Sequence, residues 1–204
     1  MRRTLFTIGH SNHAQEDFLG VLSMHGITAV CDVRSAPFSR FSPQFNRDEI
    51  SKALQVRGVA YLFLGRELGG RSEDPACYVE GKVQYDRLAS GAFFQQGLTR
   101  VEDGMTKGFR IALMCAEKDP IECHRTILVA RHLAARDIDV RHILASGEIE
   151  THAGAMGRLA RLVKVPEADL FRSAEELLAE TYQRAEDRFA YEMEQTPAFR
   201  VAVG

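Results

Sequence analysis

The sequence lacks an excess of charge of either sign, lacks long apolar runs and has few cysteines. Its 26 Lys and Arg against 28 Asp and Glu leave a formal charge of −2 over 204 residues. The balance persists along the chain, with 19 of each sign over residues 1–150 and seven basic against nine acidic over 151–204. Broad electrostatic capture of a polyanion is thereby disfavoured, and any nucleic-acid contact must use a local patch. No apolar stretch approaches the roughly 18 residues of a spanning helix, so no membrane partner is expected. Four cysteines, Cys31, Cys77, Cys115 and Cys123, are too sparse for the disulfide framework of a small secreted scaffold. Met1-Arg2-Arg3 is followed by too short an apolar run for a signal peptide, so the expectation is a cytoplasmic protein with reduced thiols. There is no Cys-x-x-Cys, and a phosphatase-type Cys-x-x-x-x-x-Arg loop fails because position 121 is Ile. Lysine is scarce too, at 5 against 21 arginines. Base composition accounts for such a bias, although guanidinium forks also suit pockets that hold carboxylate or phosphate.

What is present points to an α/β fold. The 45% hydrophobic share supports one substantial core, while the chain is short for a (β/α)₈ barrel of about 250 residues. Apolar, β-branched runs alternate with segments of helical period, the pattern of a mostly parallel sheet with helices on both faces. Five strands are expected, over 5–9, 28–33, 59–64, 110–115 and 140–144. Helix starts are signalled by Asn12 with Gln15, Asn46 with Glu49 and Ser173 with Glu176. Asp119-Pro120-Ile121-Glu122 meets three rules for one start, and Ile127, Ala130 and Ala134 extend an apolar face beyond it. A single domain over 1–204 is expected, with 151–204 as a helical C-terminal extension packed on it and a short helix over 156–163. Residues 35–45 and 66–82 read as loops long enough to be functional.

Ligands of an open parallel sheet bind beyond the carboxyl ends of its strands. That rule gathers His10, Ser11, Arg34 and Cys115, and the two long loops add Arg40 and Arg71. The densest constellation is Cys115-Ala116-Glu117-Lys118-Asp119-Pro120-Ile121-Glu122-Cys123-His124-Arg125. Cys115 ends a strand just before a helix start, whose partial positive charge favours thiolate, and Cys123 follows as a second, resolving thiol. His10 or His124 would be its acid/base partner. A metal reading competes, but Cys-x₇-Cys is not a standard zinc spacing, and adjacent Cys123 and His124 on one helix would point about 100° apart. No metal ligand is therefore assigned. A third reading makes both cysteines small core residues. Asp32 and Arg34 lie on one face of a strand end, where a carboxylate orients an arginine or acts as a base. His142 and His152 read as structural.

Thr7-Ile8-Gly9-His10-Ser11, Asp32-Val33-Arg34-Ser35-x-Pro37, Ser39-Arg40-x-x-x-Pro43-x-Phe45-Asn46, Leu68-Gly69-Gly70-Arg71 and Met114-Cys115-Ala116-Glu117-x-x-Pro120-x-x-Cys123-His124-Arg125 stand in order along the chain. Together they resemble the bacterial and archaeal family known as domain of unknown function family 488. The resemblance spans nearly the whole chain, including Arg141-His142-Ile143, His152 and the C-terminal helical run. It implies an α/β fold and a site location, but no reaction and no cofactor.

The reading these features support is a thiol-dependent enzyme or a ligand-binding protein, holding a small anionic or phosphate-bearing ligand. Arg34, Arg40, Arg71 and Arg125 would clamp the anion, and Cys115 would be the reactive thiolate. A nucleic-acid module, stacking bases on Phe38, Phe41 and Phe45, is the alternative. A Cys/His metal protein is the second.

Overall fold

Runs that are apolar on both faces become strands because helices cover both sides of the sheet. The computed structural model describes residues 3–193. Its first half runs β1 (Thr4–Gly9), α1 (Gln15–Met24), β2 (Ala29–Asp32), α2 (Arg47–Val56), β3 (Ala60–Phe63), α3 (Gly65–Leu68), a hairpin of β4 (Tyr78–Val79) and β5 (Lys82–Val83), and α4 (Tyr85–Ser90). There follow α5 (Ala92–Thr106), β6 (Ile111–Cys115), α6 (Arg131–Ala134), β7 (Asp139–Ile143), β8 (Ile149–Thr151), α7 (His152–Leu162) and α8 (Ala174–Phe189). Six strands form one sheet in the order β3-β2-β6-β1-β7-β8, parallel except where β8 runs antiparallel to β7. All five expected strands are present to within one residue at each end, and β8 is a sixth.

Strand alternation divides the core into two layers. Phe6 and Ile8 of β1 cluster with Phe18 and Leu22 of α1 and Ile50 and Leu54 of α2. Leu5 belongs to the opposite layer, with Leu98 and Val101 of α5, Leu159 of α7 and Tyr182 of α8. Burial of each large apolar side chain contributes about 1.5–3 kcal/mol. The helices after residue 151 thus pack on the sheet through that second layer, while the part of the expected extension beyond 193 lies outside the described residues. Among the described residues no helix is long and apolar enough to cross a membrane.

The helix starts separate into those made and those diverted. Ser173 and Glu176 form the expected capping box at α8, with Ser173 Oγ accepting from Glu176 N at 3.2 Å and the Glu176 carboxylate accepting from Ser173 N at 2.7 Å. Asn12 and Asn46 do not cap. α1 begins after Ala14, and Asn46 Oδ1 instead accepts from Ser39 N at 2.7 Å, which ties the 35–45 loop to the start of α2. The 66–82 stretch is less irregular than its composition suggests, since it holds the end of α3, a 3₁₀ turn at Pro75–Cys77 and β4. The short helix expected over 156–163 begins earlier, at His152, where Thr151 Oγ1 accepts from Gly154 N at 3.1 Å.

Candidate functional site

β1, β2 and β6 finish side by side, Gly9 in register with Cys115 and Asp32 with Met114. Beyond the strands the backbones stay joined, His10 N donating to Cys115 O and Ser11 N to Ala116 O, each at 2.9 Å. Ser11 takes a left-handed φ of 48°, and its hydroxyl donates to Asn12 Oδ1, so it shapes this turn. Gly9 is demanded by close approach: a Cβ there would lie 1.9 Å from Glu117 O.

The strongest helix signal in the sequence is only partly realised. Asp119 Oδ1 accepts from Ile121 N at 3.1 Å and caps a single 3₁₀ turn, Pro120–Glu122. Cys123 is then extended, at φ −131° and ψ 139°, and the chain re-enters helix as a π-helical segment, Arg125–Ala130, that runs on into α6. Such segments are rare and recur at functional sites. The interruption overturns the argument that Cys123 and His124 diverge on one helix. Their side chains converge, with His124 Nδ1 lying 3.7 Å from Cys115 Sγ and 3.9 Å from Cys123 Sγ. His124 Nε2 donates to Val33 O at 2.9 Å, so Nδ1 is the nitrogen turned toward the sulfurs. The turn Gly69-Gly70 packs on that ring, where a Cβ on Gly70 would meet His124 Cγ at 2.9 Å. Glu117 completes the group, its Oε2 accepting from Cys123 Sγ at 2.9 Å.

Electrostatics invert the expected order of the two thiols. Burial, with the hydrogen bond to Cys123, pushes Cys115 well above the ordinary thiol value. Burial also raises Cys123, but the hydrogen bond from Cys115 and the Arg125 guanidinium outweigh it and bring that thiol down. Glu117 is exposed as a residue, but the desolvation of its carboxylate beside the two thiols raises it, and its bonds with them pull it down to about 2. Burial lowers His124, yet the charge on Cys123 carries it upward. The helix end that was to activate Cys115 begins after Cys123, and Cys123 Sγ accepts from Arg125 N at 3.4 Å. Of the two thiols, Cys123 is thus the one whose proton is the more readily lost, although with Glu117 ionised it is the Cys123 thiol that donates to the carboxylate.

The arginines do not act as one clamp. Arg34 is buried and paired with Asp32, through Nη2 to Oδ2 at 2.6 Å and Nε to Oδ1 at 2.9 Å, and also donates to Phe45 O. Tyr61 OH adds a donor to Asp32 at 2.8 Å, so this carboxylate orients Arg34 and has no water-facing role as a base. Arg34 Nη1 lies 3.1 Å from His10 Nε2, while His10 Nδ1 bonds Ser11 O at 2.9 Å. Burial and Arg34 hold His10 at about 4, so it is neutral and fully occupied. Arg125 is wholly buried and grips backbone, donating to Glu117 O at 2.7 Å and Lys118 O at 3.3 Å. Arg40 lies over the exposed Phe41 ring, at 5.0 Å, away from the cysteines' cavity lining. Arg71, over the Tyr191 ring at 4.0 Å, does face that cavity.

The cavity has a volume of about 280 Å³, and its lining includes Arg34, Arg71, Tyr85, Tyr191, Cys115, Glu117 and His124. The structure thus brings together Cys115, His124, Arg34 and Arg71, keeps Cys123 directly behind them, sets Asp32 and His10 one layer back, and leaves Arg40 and Ser11 out of the lining. Glu117, Tyr85 and Gly70 were not assigned from the sequence. Glu117 and Gly70 stand in the quoted motifs, Glu117 as a carboxylate able to compensate the arginines, whereas Tyr85 carried no signal.

A family model described as domain of unknown function DUF488 matches residues 14–132, more than half of the chain. The match takes in Asp32, Arg34, Arg71 and the whole Cys115–Arg125 segment, and leaves out Thr7–Ser11 and everything after 132, so it is narrower than the near-complete resemblance read from the motifs. No curated protein and no solved structure matches the chain.

Proposed function

This chain belongs to the family described as domain of unknown function DUF488, and as that description assigns no reaction, we propose a function from the site itself. The protein takes a small anionic or phosphate-bearing ligand into the cavity at the carboxyl edge of the sheet and works on it with the Cys115–Cys123 pair. One observation carries this reading: Arg71 and Cys115 line the same cavity of about 280 Å³.

The roles follow from what each group already holds. Arg34 and Arg125 are engaged, the first by Asp32 and the second by backbone carbonyls, whereas Arg71 rests on an aromatic face and its guanidinium donates to no partner among the described residues. Cys115 belongs to the residues that line the cavity, Cys123 lies behind it and donates to Glu117, and His124 lies within reach of both sulfurs as the proton partner. Asp32 and His10 act through Arg34 and position it.

Titration calorimetry with inorganic phosphate and with sulfate tests the anion site. Binding is expected, and Arg71→Ala should weaken it about tenfold, the loss of one charge-assisted contact. Binding unchanged in Arg71→Ala, or absent in the parent protein, contradicts the reading.

A nucleic-acid reading is favoured by Phe38 and Phe41, which are 74% and 83% exposed beside Arg40. Phe45 cannot join them, being buried against His10 at 4.3 Å and Phe18 at 5.2 Å. Affinity for single-stranded oligonucleotides that falls steeply with salt, and falls further in Phe41→Ala, would support this second reading.

A further inference from the structure

We propose that Cys115, Glu117, Cys123 and His124 chelate a divalent transition metal, zinc in the first instance, at the edge of the cavity that three of them line. The inference rests on the reading that this cluster and the cavity form one site, and names the cofactor that site would use.

Geometry carries it. The four ligand atoms, two sulfurs, one imidazole nitrogen and one carboxylate oxygen, all lie within 4.8 Å of one another. Zinc bonds of about 2.0 Å to nitrogen and about 2.3 Å to sulfur imply tetrahedron edges of roughly 3.3–3.8 Å. His124 Nδ1 stands 3.7 Å and 3.9 Å from the two sulfurs, at or just beyond that spacing. A sulfur and a carboxylate oxygen 2.9 Å apart, as in Cys123 and Glu117, need a proton or a cation between them. A donor set of two thiolates, one imidazole and one carboxylate suits zinc over magnesium or calcium, which take oxygen.

The surroundings match those of a metal ligand set. Val33 O accepts from His124 Nε2 at 2.9 Å, which fixes the tautomer that bares Nδ1, the outer-shell bond that metal-bound histidines make. Arg125 N donates to Cys123 Sγ at 3.4 Å, as backbone amides do to ligating thiolates. Two thiolates and one carboxylate around a dication leave one net negative charge. Arg125 supplies the balance: it is wholly buried, lies beside the Glu117 carbonyl, and pairs with no carboxylate among the described residues. Binding replaces the dissociable protons of the cluster by metal and releases them to solvent, with no change of oxidation state. Glu117 is the exposed member of the set, so it is the ligand that an anion held by Arg71 would displace.

The experiment uses the whole chain, purified reduced and without a histidine tag. Elemental analysis should find about one zinc per chain, and after chelation and cobalt addition a thiolate-to-cobalt charge-transfer band should appear with the intense visible bands of tetrahedral cobalt. Cys115→Ser and Cys123→Ser should each reduce the charge-transfer band. Should either fail to fold, Glu117→Gln, at an exposed position, should keep the charge-transfer band, shift the visible bands and weaken cobalt binding about tenfold or more. Cobalt that binds without a charge-transfer band, or a Glu117→Gln protein identical to the parent in spectrum and affinity, overturns the proposal. A cobalt spectrum unmoved by phosphate would retain the metal and remove the anion reading; phosphate binding without any cobalt–thiolate band would do the reverse.

Discussion

His124 at the ends of β2 and β6, and the His142–His152 pair between β7 and α7, are drawn from the same residue type into the same sheet, yet they keep different company. His142 Nδ1 meets Thr7 Oγ1 at 2.8 Å, His142 Nε2 meets His152 Nδ1 at 3.1 Å, and His152 Nε2 meets Tyr182 OH at 3.0 Å. Every ring nitrogen in that chain is used by a neutral partner, and the chain pins α7 and α8 to β1 and β7. His124 instead faces two thiols and sits within 4.8 Å of the ligand atoms of a carboxylate, beside a cavity. Burial alone does not make a histidine functional. Neutral partners that satisfy both nitrogens make a structural joint, whereas groups of opposite charge aimed at one nitrogen mark a candidate site.

The largest effect that would sharpen this contrast is expected from Asp32→Asn, on the charged side. Removing the counter-charge of buried Arg34 should cost about 3–5 kcal/mol in chemical denaturation, as breaking a buried ion pair does. A loss below 1 kcal/mol would mean that the charged cluster is no more demanding than the neutral one.

Acid should act on the neutral side next. Burial holds His142 well below its ordinary value and His152 at about 4. Groups depressed on folding contribute stability that is complete above the unfolded value of about 6.5 and is lost as pH falls toward the folded value. For His152 alone the loss between those limits is of order 3 kcal/mol. Melting temperature should therefore decline from about pH 6.5 downward, and His152→Gln should flatten that decline. A profile independent of pH in this window would show that the pair is not held neutral.

A smaller effect is expected at the contact between turn and ring. Gly70→Ala brings a Cβ within 2.9 Å of His124 Cγ, and overpacking of this kind costs about 1–3 kcal/mol. Its signature should be a larger change in cobalt spectrum or phosphate affinity than His152→Gln produces, although the latter touches two hydrogen bonds. The smallest effect is for Arg71→Ala, expected to leave stability within about 0.5 kcal/mol while weakening phosphate. Substantial unfolding there would make Arg71 a structural residue.

The central strands were legible in the sequence because they are covered on both faces and so are apolar almost without interruption, as in Ile111–Cys115. β8 was not, since a three-residue antiparallel edge, Ile149–Thr151, is too short to show a period. α5 carries no side-chain cap at Gly91 and announced itself poorly. Position along the carboxyl edge was enough to group Cys115, Arg34 and Arg71, which line one cavity. What the sequence did not show was conformation at single residues: three start rules at Asp119 implied a helix through Cys123, and an extended Cys123 reversed both the pairing of Cys123 with His124 and the order of the two thiols. Arg125 likewise matched the pattern of an anion ligand, but the two carbonyls that hold it lie seven and eight residues back along the chain.

The claim that cavity and sulfur cluster are one site is tested most directly by site-resolved alkylation of chelator-treated, reduced protein, with and without inorganic phosphate. The account predicts that Cys115 is modified from the cavity, that phosphate slows its modification while leaving Cys77 unaffected, and that Arg71→Ala abolishes the protection. A Cys115 modified at the same rate with and without phosphate, or one that reacts only after unfolding, would contradict it.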